Sequence, residues 1–160
     1  MCASTPSIAP EAGVRRWLLA CLLLIVAAGA GCDGTPPDAR PLTLLDIPRD
    51  CEPQRGCTVS GERVALQLQF DTPVRALQPF HLKLRTGGAE TVEAVMVTFL
   101  MRGMDMGLNR YRLIGTPGGV WEGDVTLPVC VSGRSDWIAA FELITAARRY
   151  RLQVPFVVQK

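Results

Sequence analysis

Apolar and polar residues alternate one by one through much of this chain, and that period limits the folds open to it. Val64, Leu66, Leu68 and Phe70 interleave with Ala65, Gln67 and Gln69, and Phe80, Leu82 and Leu84 interleave with His81, Lys83 and Arg85. Successive side chains of a strand point to opposite faces, so a period of two describes strands with one face in a core and the other in water. Thr91–Met101 is more continuously apolar, as suits a central strand covered on both sides. Further strands are expected at Asn109–Ile114, Val120–Leu127, Asp136–Ile144 and Tyr150–Val157, with turn-forming stretches between them such as Asp71-Thr72-Pro73, Gly87-Gly88 and Ser132-Gly133-Arg134. Seven strands at this spacing in about 110 residues predict an all-β fold, an immunoglobulin-like antiparallel β-sandwich of about seven strands. Trp121, Trp137, Phe141 and Phe156 are the expected large core residues. There is no internal repeat and no helical heptad.

The N-terminal part follows a different logic. Arg15-Arg16 precede an apolar run from Trp17 to Ala30, which closes on Gly29-Ala30-Gly31 and Cys32. A positive start, a short apolar core and small residues at the cut are the parts of a secretory signal. The run has 14 residues, short of the roughly 20 that span a bilayer. The cysteine after the small residues resembles a bacterial lipobox, with Gly29 where Leu is usual, and the likeness implies acylation at Cys32. The expected organisation is a lipoprotein signal at 1–31, a lipidated N-terminus and Pro-rich tether at 32–50, and the sandwich at 51–160. Four prolines between positions 33 and 50 argue for the extended tether. The expected location is the bacterial cell envelope, anchored to a membrane by lipid and facing the periplasm or the exterior.

The leader carries two arginines and one glutamate, so chain totals of 17 Lys+Arg and 15 Asp+Glu leave 15 and 14 in the mature part. A nearly neutral chain with no basic run gives no electrostatic support for binding nucleic acid. One histidine and no nucleophile elbow leave nucleophilic catalysis without parts, and no enzyme is expected. Cys2 and Cys21 leave with the signal and Cys32 is taken by lipid. Cys51, Cys57 and Cys130 remain, which in an oxidising compartment predicts one disulfide and one free thiol. Cys51–Cys57 is the preferred pair, since Pro53 and Gly56 can close a small ring. Cys57–Cys130 is the alternative.

Every mature methionine lies between positions 96 and 106, and the dense part is Met101-Arg102-Gly103-Met104-Asp105-Met106-Gly107. Thioether sulfur is a soft, neutral ligand suited to Cu(I), and flanking glycines allow a tight loop on which several sulfurs can converge. Met also fills gaps in cores, a role that suits Met96 and is the alternative for Met101. His81 should face water and is the weakest candidate ligand; Cys130, if free, is another soft one. Arg148-Arg149-Tyr150-Arg151 forms a small basic cluster, a solvated face or a contact for anionic lipid.

The run Gly103-Met104-Asp105-Met106-Gly107 after a buried strand, followed by Gly119-Val120-Trp121-Glu122-Gly123, resembles the YtkA/FixH-like extracytoplasmic β-sandwich proteins. The likeness spans residues 60–157 in layout and is specific over 99–123. It implies copper handling, with Met104 and Met106 and then Met101 as ligands, and a respiratory haem–copper oxidase or another copper protein as partner. Histidines near the methionines, which the family's stronger copper cases have, are missing. The expected function is therefore Cu(I) binding through Met101, Met104 and Met106. The competing expectation is a metal-free interaction module that contacts a membrane-protein partner through an exposed methionine patch.

Replacing Cys32 by Ala is expected to move the protein from the membrane to the soluble fraction, since each buried CH₂ of an acyl chain contributes about 0.8 kcal/mol to anchoring. Fractionation with an antibody to the sandwich reads the result. Unchanged membrane retention rules out a lipid anchor at this position.

Overall fold

The computed structural model describes residues 39–71 and 73–159, so the signal and Cys32 lie outside the described residues. Residues Ala39–Lys160 form one compact unit. Ten strands make it up: β1 (Leu42–Leu44), β2 (Cys57–Ser60), β3 (Val64–Phe70), β4 (Pro79–Gly88), β5 (Val92–Leu100), β6 (Arg110–Arg112), β7 (Ile114–Thr116), β8 (Val120–Thr126), β9 (Asp136–Thr145) and β10 (Arg149–Val157). They form two five-stranded sheets, a first sheet in the order β1-β10-β9-β5-β6 and a second in the order β2-β3-β4-β8-β7. All pairings are antiparallel except β1 with β10. The order β3-β4-β8-β7 against β10-β9-β5-β6 is the A-B-E-D and G-F-C-C′ arrangement of immunoglobulin-like sandwiches.

Alternation in the sequence becomes the two inner faces. Leu66, Leu68, Phe70, Leu82 and Leu84 of the second sheet meet Val97, Phe99, Phe141, Leu143 and Val154 of the first, each at most 1% exposed. Trp137 and Phe156 are buried as expected, whereas Trp121 is only partly buried against the core. The expected strand Asn109–Ile114 divides. β6 pairs with β5 in the first sheet and β7 with β8 in the second, and buried Leu113 marks the crossover. The strands number ten rather than about seven for this reason and because β1 and β2 were not expected. The compact unit also begins earlier than position 51. Part of the expected tether, Leu42–Leu44, adds to the sheet edge, and Leu45 behind it is buried.

A carboxylate ties three turns together at one end. The Glu90 side chain is 8% exposed and accepts hydrogen bonds from Arg63 Nε at 2.6 Å and Thr145 Oγ1 at 2.9 Å, with Arg148 Nε at 3.3 Å. Burial alone would raise its pKa. The hydrogen bonds from Thr145 and Arg63, with the neighbouring Tyr150 hydroxyl and the charge of Arg148, outweigh burial and hold it below the ordinary glutamate range. A lowered folded pKa means that Glu90 stabilises the fold above the ordinary glutamate pKa, and that this is lost as pH falls through the folded value. Glu90→Gln is therefore expected to lower the urea midpoint at neutral pH. The gap between the two proteins should close on acidification below the carboxylate range. A gap that stays constant across that range would show that the charge of Glu90 contributes nothing.

Candidate metal centre

Strand pairing decides which loops meet. The end of β5 lies beside the start of β9, with Leu100 opposite Ile138. The loop that leaves β5 and the loop that enters β9 therefore share one end of the sandwich. Arg134 fastens them: Nη1 donates to the Arg102 carbonyl at 2.9 Å, while Nε and Nη2 hold the Asp136 carboxylate.

The methionine loop reverses within four residues. Met101 and Met104 form an isolated antiparallel bridge, and the Met104 amide donates to the Met101 carbonyl at 3.2 Å. Gly103 and Gly107 have φ of +74° and +67°, left-handed values that side chains tolerate poorly. The Asp105 carboxylate accepts the Gly107 amide at 2.8 Å and so shapes the turn. Met101 is buried at 3% exposure, while Met104 and Met106 are half-buried against the core.

The three methionines do not share one setting. Met104 Sδ lies 3.7 Å from Cys130 Sγ and 3.6 Å from Ser132 Oγ, and Cys130 Sγ lies 3.0 Å from Ser132 Oγ. Two sulfurs and a hydroxyl thus form a triangle at the rim of the sandwich. Met106 instead lines a shallow hollow of about 380 Å³ with Leu77, Leu108, Tyr111, Leu127 and Pro128. Asn109 also lines that hollow; it is 6% exposed, and its Nδ2 has no hydrogen-bond partner. A separate cavity of about 560 Å³, bounded by Arg102, Asp136, Trp137 and Pro155 among others, includes none of the methionines and not Cys130.

Cys51 and Cys57 form the disulfide, with Cα atoms 5.0 Å apart, and Cys130 is free and buried. The Ser132 hydroxyl, bonding to sulfur, lowers the thiol pKa; burial works against it, while the Ser132 and Arg134 amides and the Arg134 charge support it. The net result is a thiol below its ordinary range, richer in thiolate. Ser132 was not legible as a functional residue, because its only sequence signal is a turn.

His81 stands on the outer face of the second sheet, as the alternation predicts. Its Nδ1 is 2.9 Å from Asp124 Oδ1 and its Nε2 is 3.6 Å from Glu122 Oε2. The hydrogen bond to Asp124 raises its pKa, burial opposes this, and the charges of Asp124 and Glu122 add to the rise. It belongs to a surface ion cluster and is not a partner of the sulfurs. Among the described residues no group of three or more His, Cys, Asp or Glu side chains is placed to hold a metal ion.

No family model matches this chain, and no curated protein matches it. A solved structure of an engineered protein from the Northeast Structural Genomics Consortium is similar at 16% identity and a TM-score of 0.44, over 58% of this chain and 20% of that one. The chain thus spans about a fifth of the length of that protein.

Peptide-resolved alkylation of the native full chain tests the thiol. Cys130 is expected to reach half-maximal rate at a pH below that of an ordinary cysteine, and Ser132→Ala is expected to move that point upward. Identical profiles for the two proteins would remove Ser132 from any role at the sulfur.

Proposed function

We propose that this chain is a lipid-anchored envelope protein that carries Cu(I) for delivery to a copper protein, such as a respiratory oxidase under assembly. The supporting observation is the 3.7 Å approach of Cys130 Sγ to Met104 Sδ. An ion about 2.3 Å from each of two sulfurs at that spacing would see them at about 107°, which suits two corners of a three- or four-coordinate site. Thiolate and thioether are both soft donors that favour Cu(I) over magnesium or calcium. The thiolate also offsets the charge of the ion, a task that a set of three thioethers leaves undone. Met101, the backbone bridge partner of Met104, is the further thioether assigned to the site in this reading. Met106 faces another hollow and is given no ligand role in this reading. A carrier needs no catalytic group, so no enzymatic step is proposed.

A second reading rests on a different observation. Leu108 and Val131 are 102% and 96% exposed, and Leu77 and Val129 are also exposed around the same end. Such a rim suits a metal-free module that contacts a membrane-protein partner through apolar side chains and methionine.

Competition of the full chain against a chromogenic Cu(I) chelator separates these readings. Cys130→Ser and Met104→Leu are each expected to lower retained copper at least about tenfold, the scale on which even an outer partner of a ligand counts, and Met106→Leu is expected to change it little. Retention should fall with acid once pH drops below the thiol pKa, because the ligand must lose its proton. Retention that ignores both Cys130→Ser and pH would point to thioethers alone. No retention by the parent chain would leave the interaction module.

A further inference from the structure

The two outer faces of the sandwich differ in charge balance. On the second sheet, register aligns Thr58, Gln67, Arg85 and Val120 in one row and Gln69, Lys83, Glu122 and Ile114 in the next, a mostly polar surface in which both signs of charge occur. On the first sheet the corresponding rows mix apolar side chains with arginine. One row reads Leu44, Arg151, Glu142, Met96, Arg112, and the row beside it reads Leu42, Arg149, Ile144, Ala94. Towards the other end come Gln153, Ala140, Thr98 and Arg110, then Pro155, Ile138 and Leu100. Leu44 is 71% exposed and Leu42 44%. Arg110, Arg112, Arg149 and Arg151 share this face with Glu142, on which Arg110 and Arg149 close at 3.2 Å each and Arg151 at 4.0 Å, and with Asp136, which Arg134 holds. The face carries more arginine than carboxylate.

We infer that this outer face lies on the anionic surface of a bilayer. Apolar side chains interspersed with arginine suit the headgroup boundary, where leucines and arginine methylenes enter the interface and guanidinium groups meet lipid phosphate. A second copy of the chain is a poor occupant, since a two-fold contact would set an excess of positive charge against its own image. Position in the chain favours lipid as well. β1, the strand that follows the tether, is the edge of this sheet. The seven Cα–Cα steps from Cys32 to Ala39 can reach at most about 25 Å. The inference rests on the lipid-anchor reading for proximity only, since charge and apolarity of the face stand without it.

Arginine-specific modification read residue by residue tests the face. The full chain is placed in nanodiscs of phosphatidylcholine alone or with phosphatidylglycerol added. Arg110, Arg112 and Arg151 are expected to react at least about threefold more slowly with the anionic lipid present, and high salt should restore them. Arg55 and Arg85, off the face, should not change. Arg112→Glu, at an exposed position, should lower association with anionic vesicles roughly tenfold or more. Equal rates in the two lipids overturn the inference. Protection that appears equally in detergent and disappears on dilution also overturns it and assigns the face to self-association. A chain that does not enter nanodiscs defeats the anchor reading alone, and anionic vesicles added to the free chain then decide the face on their own.

Discussion

Rings packed between the two sheets hold the end of the sandwich on which the loops sit. Phe99 is the hub, with ring centroids 6.1 Å from Phe80, 6.0 Å from Phe156 and 6.0 Å from Tyr111. Phe70 joins the same cluster at 5.3 Å from Phe156 and 5.7 Å from Phe80. These rings come from strands β3, β4, β5, β6 and β10, so one cluster fixes both sheets. Tyr111 adds a tie across the sandwich, its hydroxyl donating to the Thr126 carbonyl at 2.6 Å. Loss of one such buried ring costs about 3–5 kcal/mol, a large part of the 5–15 kcal/mol that holds an ordinary domain together. Phe99 lies two residues ahead of Met101, so the methionine loop starts from the most firmly held point of the core.

That anchoring fixes which loops meet at this end of the sandwich. Cys130 and Met104 are 26 residues apart in the chain. They meet because β5 and β9 are neighbours in the sheet and their loops open at the same end. Each sulfur is then positioned by a local device: a four-residue reversal with glycine at φ +74° for Met104, and the hydroxyl of Ser132 for Cys130. The Arg134 clasp to the Arg102 carbonyl and to Asp136 keeps one loop from sliding past the other.

Strands with a clean period of two were readable because burial on one face is the whole of their signal; β3, β4 and β10 are of this kind. β1 and β2 were not readable. They are three and four residues long, too short for a period to show, and prolines around β1 carry the signature of a linker. The division of Asn109–Ile114 was hidden for a related reason, since a strand that changes sheets keeps its alternation while its partners change. Sulfur chemistry was legible as composition and not as geometry. Met104 and Met106 lie two residues apart, but such spacing fixes a common direction only in an extended strand, and a reversal with left-handed glycines breaks it. The disulfide was legible because its two cysteines are close in sequence; the pairing of a thiol with a distant thioether depends on sheet order, which no local pattern encodes.

The fate of the remaining thiol follows from the same arrangement. Closing Cys51 onto Cys57 satisfies both within one short loop and leaves Cys130 single. At 8% exposure it is screened from bulky oxidants and from other thiols, while Ser132 keeps it richer in thiolate than a buried cysteine would otherwise be. Screening and activation usually oppose each other, because desolvation penalises the charged sulfur. Here one hydroxyl at 3.0 Å offsets that penalty without opening the site to solvent. The sulfur sits beside half-buried Met104, so access as well as thiolate content decides what reacts at Cys130.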